Sequence, residues 1–384
     1  MNRRTLLRLA AAGTGTAVFS GAIWETALAA PAQPGPSPYG ALGAADANGV
    51  ALPSGFTSRV VARSGQTVAG TSYRWHAAPD GGACFPNGSG WTYVSNSEVP
   101  LVGGVSALRF NADGSIASAG SILSGSSSNC AGGPTPWGTW LSCEEIPLGR
   151  VFETYPQGGT SAVGRAAMGR FKHEAAACDP VRRVVYLTED ETDGCFYRFR
   201  PRTWGDLSSG TLEVLTGTTG ATGPVGWARI PYTDGLFWAT RNQVSAAAHF
   251  NGGEGCYYAN DVCYFTTKGD NRVWAYDAAA QSLSLVYDAA QAGANAPLSG
   301  LDNITGSATG DLFVAEDGGN MEIDIITPGG VVAPFLRVDG HSGSEITGPA
   351  FNPAGDRLYF SSQRGASNSL LAGVTFEVTG PFRR

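Results

Sequence analysis

Val184-Val185-Tyr186-Leu187-Thr188-Glu189-Asp190-Glu191 is a short strand rich in aliphatic and aromatic residues that runs straight into a cluster of acids. The phrase returns along the chain. Its other instances are Trp91-Thr92-Tyr93-Val94-Ser95, Trp140-Leu141-Ser142, Val262-Cys263-Tyr264-Phe265-Thr266, Leu312-Phe313-Val314-Ala315 and Leu358-Tyr359-Phe360-Ser361. Turn signals accompany them, as in Asn111-Ala112-Asp113-Gly114, Ala308-Thr309-Gly310-Asp311 and Asn352-Pro353-Ala354-Gly355-Asp356. The strand centres fall roughly 45 to 50 residues apart, with one gap of about 78, which is the spacing of propeller blades. Six returns of one unit predict an all-β fold, a single six-bladed β-propeller. A β-sandwich is the alternative, since it also spaces its strands regularly. Asp206 to Gly235, inside the long gap, is too irregular to read as a full blade. Only Ala289 to Ala296 hints at a helical turn.

The polar residues at the end of each strand carry the chemistry. Asn96 and Glu98 come after Ser95; Cys143, Glu144 and Glu145 after Ser142; Glu189, Asp190 and Glu191 after Thr188. Lys268, Asp270 and Asn271 come after Thr267, Glu316 and Asp317 after Ala315, and Gln363 and Arg364 after Ser362. In a propeller, equivalent strand ends of all blades meet at one face of the central channel. Carboxylates gathered there repel one another in a desolvated site, and a multivalent cation relieves the repulsion. Oxygen ligands suit calcium, and a thiolate among them adds a place for a transition metal. A single acid in a turn is ordinarily just solvated; recurrence at one structural position argues otherwise for the set.

The first residues predict export. Arg3 and Arg4 precede an apolar run from Leu9 to Trp24, and Ala27-Leu28-Ala29 offers a small-x-small cleavage site. The run is shorter than the ~20 residues a membrane span needs, and the arginine pair points to the twin-arginine route, which carries folded proteins. Residues 1–29 are therefore expected to be a signal peptide, 30–72 a linker and first strand, and 73–384 the propeller. The mature protein is expected to be periplasmic or extracellular, with no membrane span. The net charge of −7 and the absence of a basic cluster exclude a nucleic-acid surface. Gly 54 is about twice the usual share and fits many tight turns. With only four histidines, a metal site must draw on carboxylates, carbonyls or cysteine.

Seven cysteines in an exported chain predict disulfides with one thiol left over. Proximity groups Cys84 with Cys130, Cys178 with Cys195 and Cys256 with Cys263, leaving Cys143, although connectivity does not follow from sequence.

Several motifs, in order, resemble the PhoX-like alkaline phosphatases. They are Thr139-Trp140-Leu141-Ser142-Cys143-Glu144-Glu145, Gly169-Arg170-Phe171-Lys172-His173-Glu174, Gly253-Glu254-Gly255, Asp302-Asn303-Ile304, Val314-Ala315-Glu316-Asp317-Gly318 and Ser344-Glu345-Ile346-Thr347-Gly348-Pro349. The resemblance implies a six-bladed propeller exported by the twin-arginine route, with Fe3+ and Ca2+ in the channel, that hydrolyses small phosphate monoesters. It makes Cys143 an iron ligand and places Glu144, Glu174, Glu254, Asp302 and Glu345 on metal-ligating positions. Glu98, in Ser95-Asn96-Ser97-Glu98, resembles a further ligand. The family motif carries a phosphate-clamping arginine two residues before the Gly-Glu glutamate; here that residue is Gly252, with Arg364 or Arg241 as candidate substitutes. A phosphomonoesterase and a non-catalytic metal-bound propeller that binds a ligand or partner are the two functional readings.

Overall fold

The computed structural model describes residues 30–294 and 296–383, so the expected leader over 1–29 lies outside the described residues. Among those residues the strands form six sheets, each a blade. The six recurrent phrases are the second strands of the blades: Gly90–Ser97, Trp140–Glu144, Val184–Glu189, Val262–Thr267, Leu312–Glu316 and Arg357–Ser362. We number the blades 1 to 6 in that order. These strands are buried on both faces between neighbouring blades, which is why they read as unbroken apolar runs without polar alternation.

The innermost strands are Pro79–Asn87, Asn129–Pro134, His173–Asp179, Gly253–Ala259, Leu301–Gly306 and Ile346–Phe351. Each packs against the next around the ring, and the sixth packs against the first. Six backbones converging on one axis leave little room for side chains. A Cβ on Gly81 would lie 2.5 Å from Ala131 Cα, and one on Gly255 would lie 2.6 Å from Ile304 N. Small residues at these positions are therefore a packing requirement.

The ring closes by pairing the two ends of the chain. Thr57–Arg63 is the outermost strand of blade 6 and pairs antiparallel with Val374–Thr379. Buried Glu377 locks this seam, accepting from Arg59 Nε at 2.7 Å and Arg357 Nη1 at 2.7 Å. Gln33–Pro34 and Val50–Ala51 add to the edge strand of blade 5, so much of the segment 30–72 is woven into two blades. The long repeat gap has a simple origin. Blade 3 adds Gly226–Arg229 beyond its fourth strand Asp206–Thr216, and the chain makes an excursion before His249–Phe250 returns to pair with the same sheet. The helical hint proves to be one short helix, Ala289–Ala292, with the Asp288 side chain accepting from Ala290 N.

Candidate metal centre

Every innermost strand breaks register near its start: between Pro79 and Gly82, Asn129 and Gly132, His173 and Ala176, Gly253 and Cys256, Leu301 and Ile304, and Thr347 and Ala350. A bulge leaves residues unpaired and re-aims their side chains. The first bulged residues of blades 1 to 5 are Asp80, Cys130, Glu174, Glu254 and Asp302; blade 6 has Gly348. Four carboxylates and one thiol thus stand at one level of the channel, all buried. The residues directly after them (Gly81, Ala131, Ala175, Gly255, Asn303 and Pro349) line a narrow cavity beneath.

A second ring comes from the residues that end the second strands. One backbone bond repeats in all six blades: the N–H of Glu98, Glu145, Asp190, Lys268, Asp317 and Gln363 donates to the carbonyl of Ala78, Ser128, Lys172, Gly252, Gly300 and Glu345. This fixed turn brings the second ring over the first. Ligand atoms of Asp80, Glu98 and Cys130 lie within 4.8 Å of one another, as do those of Cys130, Glu145 and Glu174, and those of Glu174, Glu254 and Asp302. Three overlapping groups form one continuous cluster.

Its electrostatics follow from burial and crowding. Burial, then the neighbouring carboxylates, push Asp80, Glu174, Asp302 and Glu345 well above the usual carboxyl range. Burial outweighs the adjacent Lys268 ammonium and pushes Glu254 up to about 8; burial and Glu98 push Glu145 up to about 7. Three cations border the cluster. Lys172 Nζ lies 2.9 Å from Glu145 and 2.5 Å from Asp190, and Lys268 Nζ lies 2.9 Å from Glu254 and 3.3 Å from Asp317. Arg364 Nη1 lies 2.9 Å from Glu345. Glu174 has no such partner: both its oxygens are buried without a hydrogen-bond donor among the described residues. A buried carboxylate with no donor is costly unless protonated or bound to a cation. An acid set with one thiol therefore fits hard cations together with a transition metal.

The structure brings Glu98, Glu174, Glu254 and Asp302 into this cluster, and it sets Glu345, paired with Arg364, at its edge. It does not bring Cys143 or Glu144. Cys143 is fully buried in apolar packing with Leu141, Val151, Leu187 and Tyr197, so the thiol facing the acids is Cys130. Glu144 is a backbone clamp: it accepts from Ser127 N at 3.0 Å and Arg150 N at 3.1 Å. Glu316 does the same in blade 5, accepting from Ser299 N and Glu322 N. Asp80, Cys130 and Glu145 also stand in the cluster, although the motif reading did not name them. All seven cysteines are free, and Cys256 and Cys263 alone approach, at 3.2 Å between sulfurs. Gly252 has φ +70, so a side chain there is strained. The amino group of Lys268 supplies positive charge beside Glu254 instead.

The family model described as alkaline phosphatase PhoX matches residues 92–160 and 147–282, from the second strand of blade 1 into blade 4. No curated protein matches the chain in sequence. PhoX of Pseudomonas fluorescens, solved in complex with vanadate as a transition-state analogue, is similar at 17% identity, covering 91% of this chain and 98% of that one with a TM-score of 0.71. A protein of unknown function from Bacteroides thetaiotaomicron is similar at 11% identity over 84% and 76%, with a TM-score of 0.55. A luciferin-regenerating enzyme shares the fold at 13% identity over 85% and 96%, with a TM-score of 0.51. The propeller is common to all three, whereas Cys130, Glu145, Glu174 and Glu254 fall inside the segment matched by the family model. On the ordered motifs, the propeller and that match, the chain belongs to the PhoX-like family.

Proposed function

We propose that this chain is a metal-dependent phosphomonoesterase whose centre lies at the mouth of the propeller channel. The observation that carries the reading is Glu174, a buried carboxylate with no internal donor, at the junction of two groups of ligand-forming atoms. Asp80, Glu98, Glu145, Glu174, Glu254, Asp302 and Glu345 are the oxygen ligands for Ca2+ and Fe3+, and Cys130 is the sulfur ligand for iron. Bound there, such ions neutralise a phosphoryl group and supply an oxygen nucleophile near neutral pH. The chain does the rest. The bulges fix the carboxylates before any substrate arrives, so little reorganisation remains for the reaction. Lys172, Lys268 and Arg364 present positive charge at the rim, where a phosphate monoester would enter. Arg364 can offer a planar fork to phosphate oxygens, the role of the arginine missing at Gly252. The Arg3-Arg4 leader supports export by the twin-arginine route, and no helix among the described residues is long and apolar enough to cross a membrane.

The test is hydrolysis of 4-nitrophenyl phosphate by the chain reconstituted with Fe3+ and Ca2+, with Glu174→Gln and Arg364→Ala beside it. Metal-dependent turnover that Glu174→Gln abolishes, and whose KM rises in Arg364→Ala, is expected. Metal bound at the expected ligands with no turnover at any pH would overturn the enzyme reading in favour of a non-catalytic metal-bound propeller.

A further inference from the structure

Blade 5 holds a second group of acids, apart from the channel. Glu316 ends its second strand, and Glu322 and Asp324 begin its third. One oxygen from each lies within 4.8 Å of the others, and all three residues are buried. Both oxygens of fully buried Asp324 lack any hydrogen-bond partner among the described residues.

The other blades show what ordinarily occupies this place. Relative to the residue that ends the second strand, the position of Asp324 is held by Phe152 in blade 2 and Tyr197 in blade 3, as the pairings Ser142↔Phe152, Leu187↔Tyr197 and Val314↔Asp324 show. Tyr197 donates its hydroxyl to Glu189 at 2.6 Å, so in blade 3 the clamp glutamate meets a donor. In blade 4, Trp274 Nε1 donates to Thr267 at 3.1 Å. Blade 5 sets a carboxylate against a carboxylate instead. The remaining partners do not balance the charge. Glu316 accepts two backbone N–H groups, and Glu322 accepts from Asn320 Nδ2 at 2.6 Å. The nearest guanidinium, Arg337, is 3.8 Å from Glu322 and is held by Asp339 at 2.8 Å.

We infer that Glu316, Glu322 and Asp324 bind a calcium ion that fastens the second and third strands of blade 5, a site separate from the channel centre. Three carboxylates offer only oxygens, which selects a hard divalent ion over a thiolate-seeking one. Asp324 has its oxygens free to coordinate, and the ion replaces the donor that Tyr197 provides in blade 3. The site is structural: it ties an element whose edge strand also receives the N-terminal strands Gln33–Pro34 and Val50–Ala51.

The experiment strips the full chain with chelator, reloads it with calcium alone, and counts calcium per chain by mass spectrometry alongside thermal unfolding. Asp324→Asn is expected to hold one equivalent fewer than wild type and to lose part of the calcium-induced rise in Tm. Glu174→Gln, in the channel, should keep the blade 5 equivalent, and the double variant should lose both contributions. Glu322→Gln serves as the second variant should Asp324→Asn fold poorly, and the same loss of one equivalent is expected. If either folded variant binds as much calcium as wild type, the inference fails. It fails equally if Asp324→Asn changes Tm by the same amount with calcium and with chelator, because calcium would then make no contact with Asp324.

Discussion

Glu174→Gln should change sign with metal. In chelated protein, Glu174 faces Glu254 and Asp302 with ligand atoms within 4.8 Å, where each pair of ionised carboxylates repels by roughly 3–4 kcal/mol at an effective dielectric of about 20. The site lowers that cost by keeping protons, so Glu174 sits well above its ordinary 4.5 and Glu254 at about 8. An acid whose folded pKa is raised binds more protons folded than unfolded. It therefore costs nothing below its unfolded pKa, and the cost grows as pH rises towards the folded value. The metal-free wild type should thus lose stability from about pH 4.5 to beyond pH 8, and the glutamine variant should lose less. Near pH 5 the two should coincide, because glutamine resembles the protonated acid in shape and in its unmet hydrogen bonds. Near pH 8.5 the variant should be the more stable by about 2–3 kcal/mol, the repulsion with one neighbour largely removed. With calcium and iron present the order should reverse. The variant forfeits a ligand, and losing an ion present at a hundredfold excess over Kd removes about 2.7 kcal/mol. Differential scanning calorimetry across pH, with chelator and with metal, measures both branches. An equal loss of stability in the variant with and without metal at every pH would refute the reasoning, since it would make Glu174 a packing residue.

Cys130→Ser should lower bound iron while leaving most calcium, whereas Cys143→Ser should leave the metal content unchanged and cost about 1–3 kcal/mol by placing a hydroxyl in apolar packing; elemental analysis with thermal melts separates the two. Glu144→Ala leaves the amides of Ser127 and Arg150 without their side-chain acceptor, so it should cost about 2–4 kcal/mol with the metal stoichiometry intact, read from denaturant unfolding and metal counting on the folded fraction.

The architecture was legible because the second strand of each blade is a self-contained signal. Packed on both faces, it is built from aliphatic and aromatic residues with few polar interruptions, and it comes back once in every blade. The innermost strands carry no comparable signal, although they hold five of the seven clustered residues, Asp80, Cys130, Glu174, Glu254 and Asp302. Crowding at the axis imposes glycine and alanine on them, as in Gly81-Gly82, Ala131-Gly132-Gly133 and Ala175-Ala176-Ala177, residues with weak strand propensity. Asp80 and Cys130 were hidden in such stretches. The signal that could have found them is an acid or thiol followed at once by small residues in the hairpin before each apolar phrase. It is present in Asp80-Gly81-Gly82, Cys130-Ala131-Gly132, Glu174-Ala175-Ala176 and Glu254-Gly255.

The other error was one of register. In Cys143-Glu144-Glu145 the motif resemblance points to Cys143 and Glu144 and passes over Glu145, yet consecutive residues of a strand point to opposite faces. Cys143 is still inside the sheet, paired with Val151 and packed between blades. Glu144 is the last ladder residue, and its carboxylate turns back onto the backbone of its own turn. Glu145 is the first residue past the ladder, and it alone of the three reaches the channel acids. The same step separates Glu189, bound to Tyr197 and Arg241, from Asp190, bound to Lys172. It also separates Glu316 from Asp317, which lies beside Lys268. An acid pair at a strand end thus splits into one residue that holds the blade's turn and one that serves the centre. Which is which depends on where the ladder stops, a property of the pairing partner across the hairpin, which the pair itself does not encode.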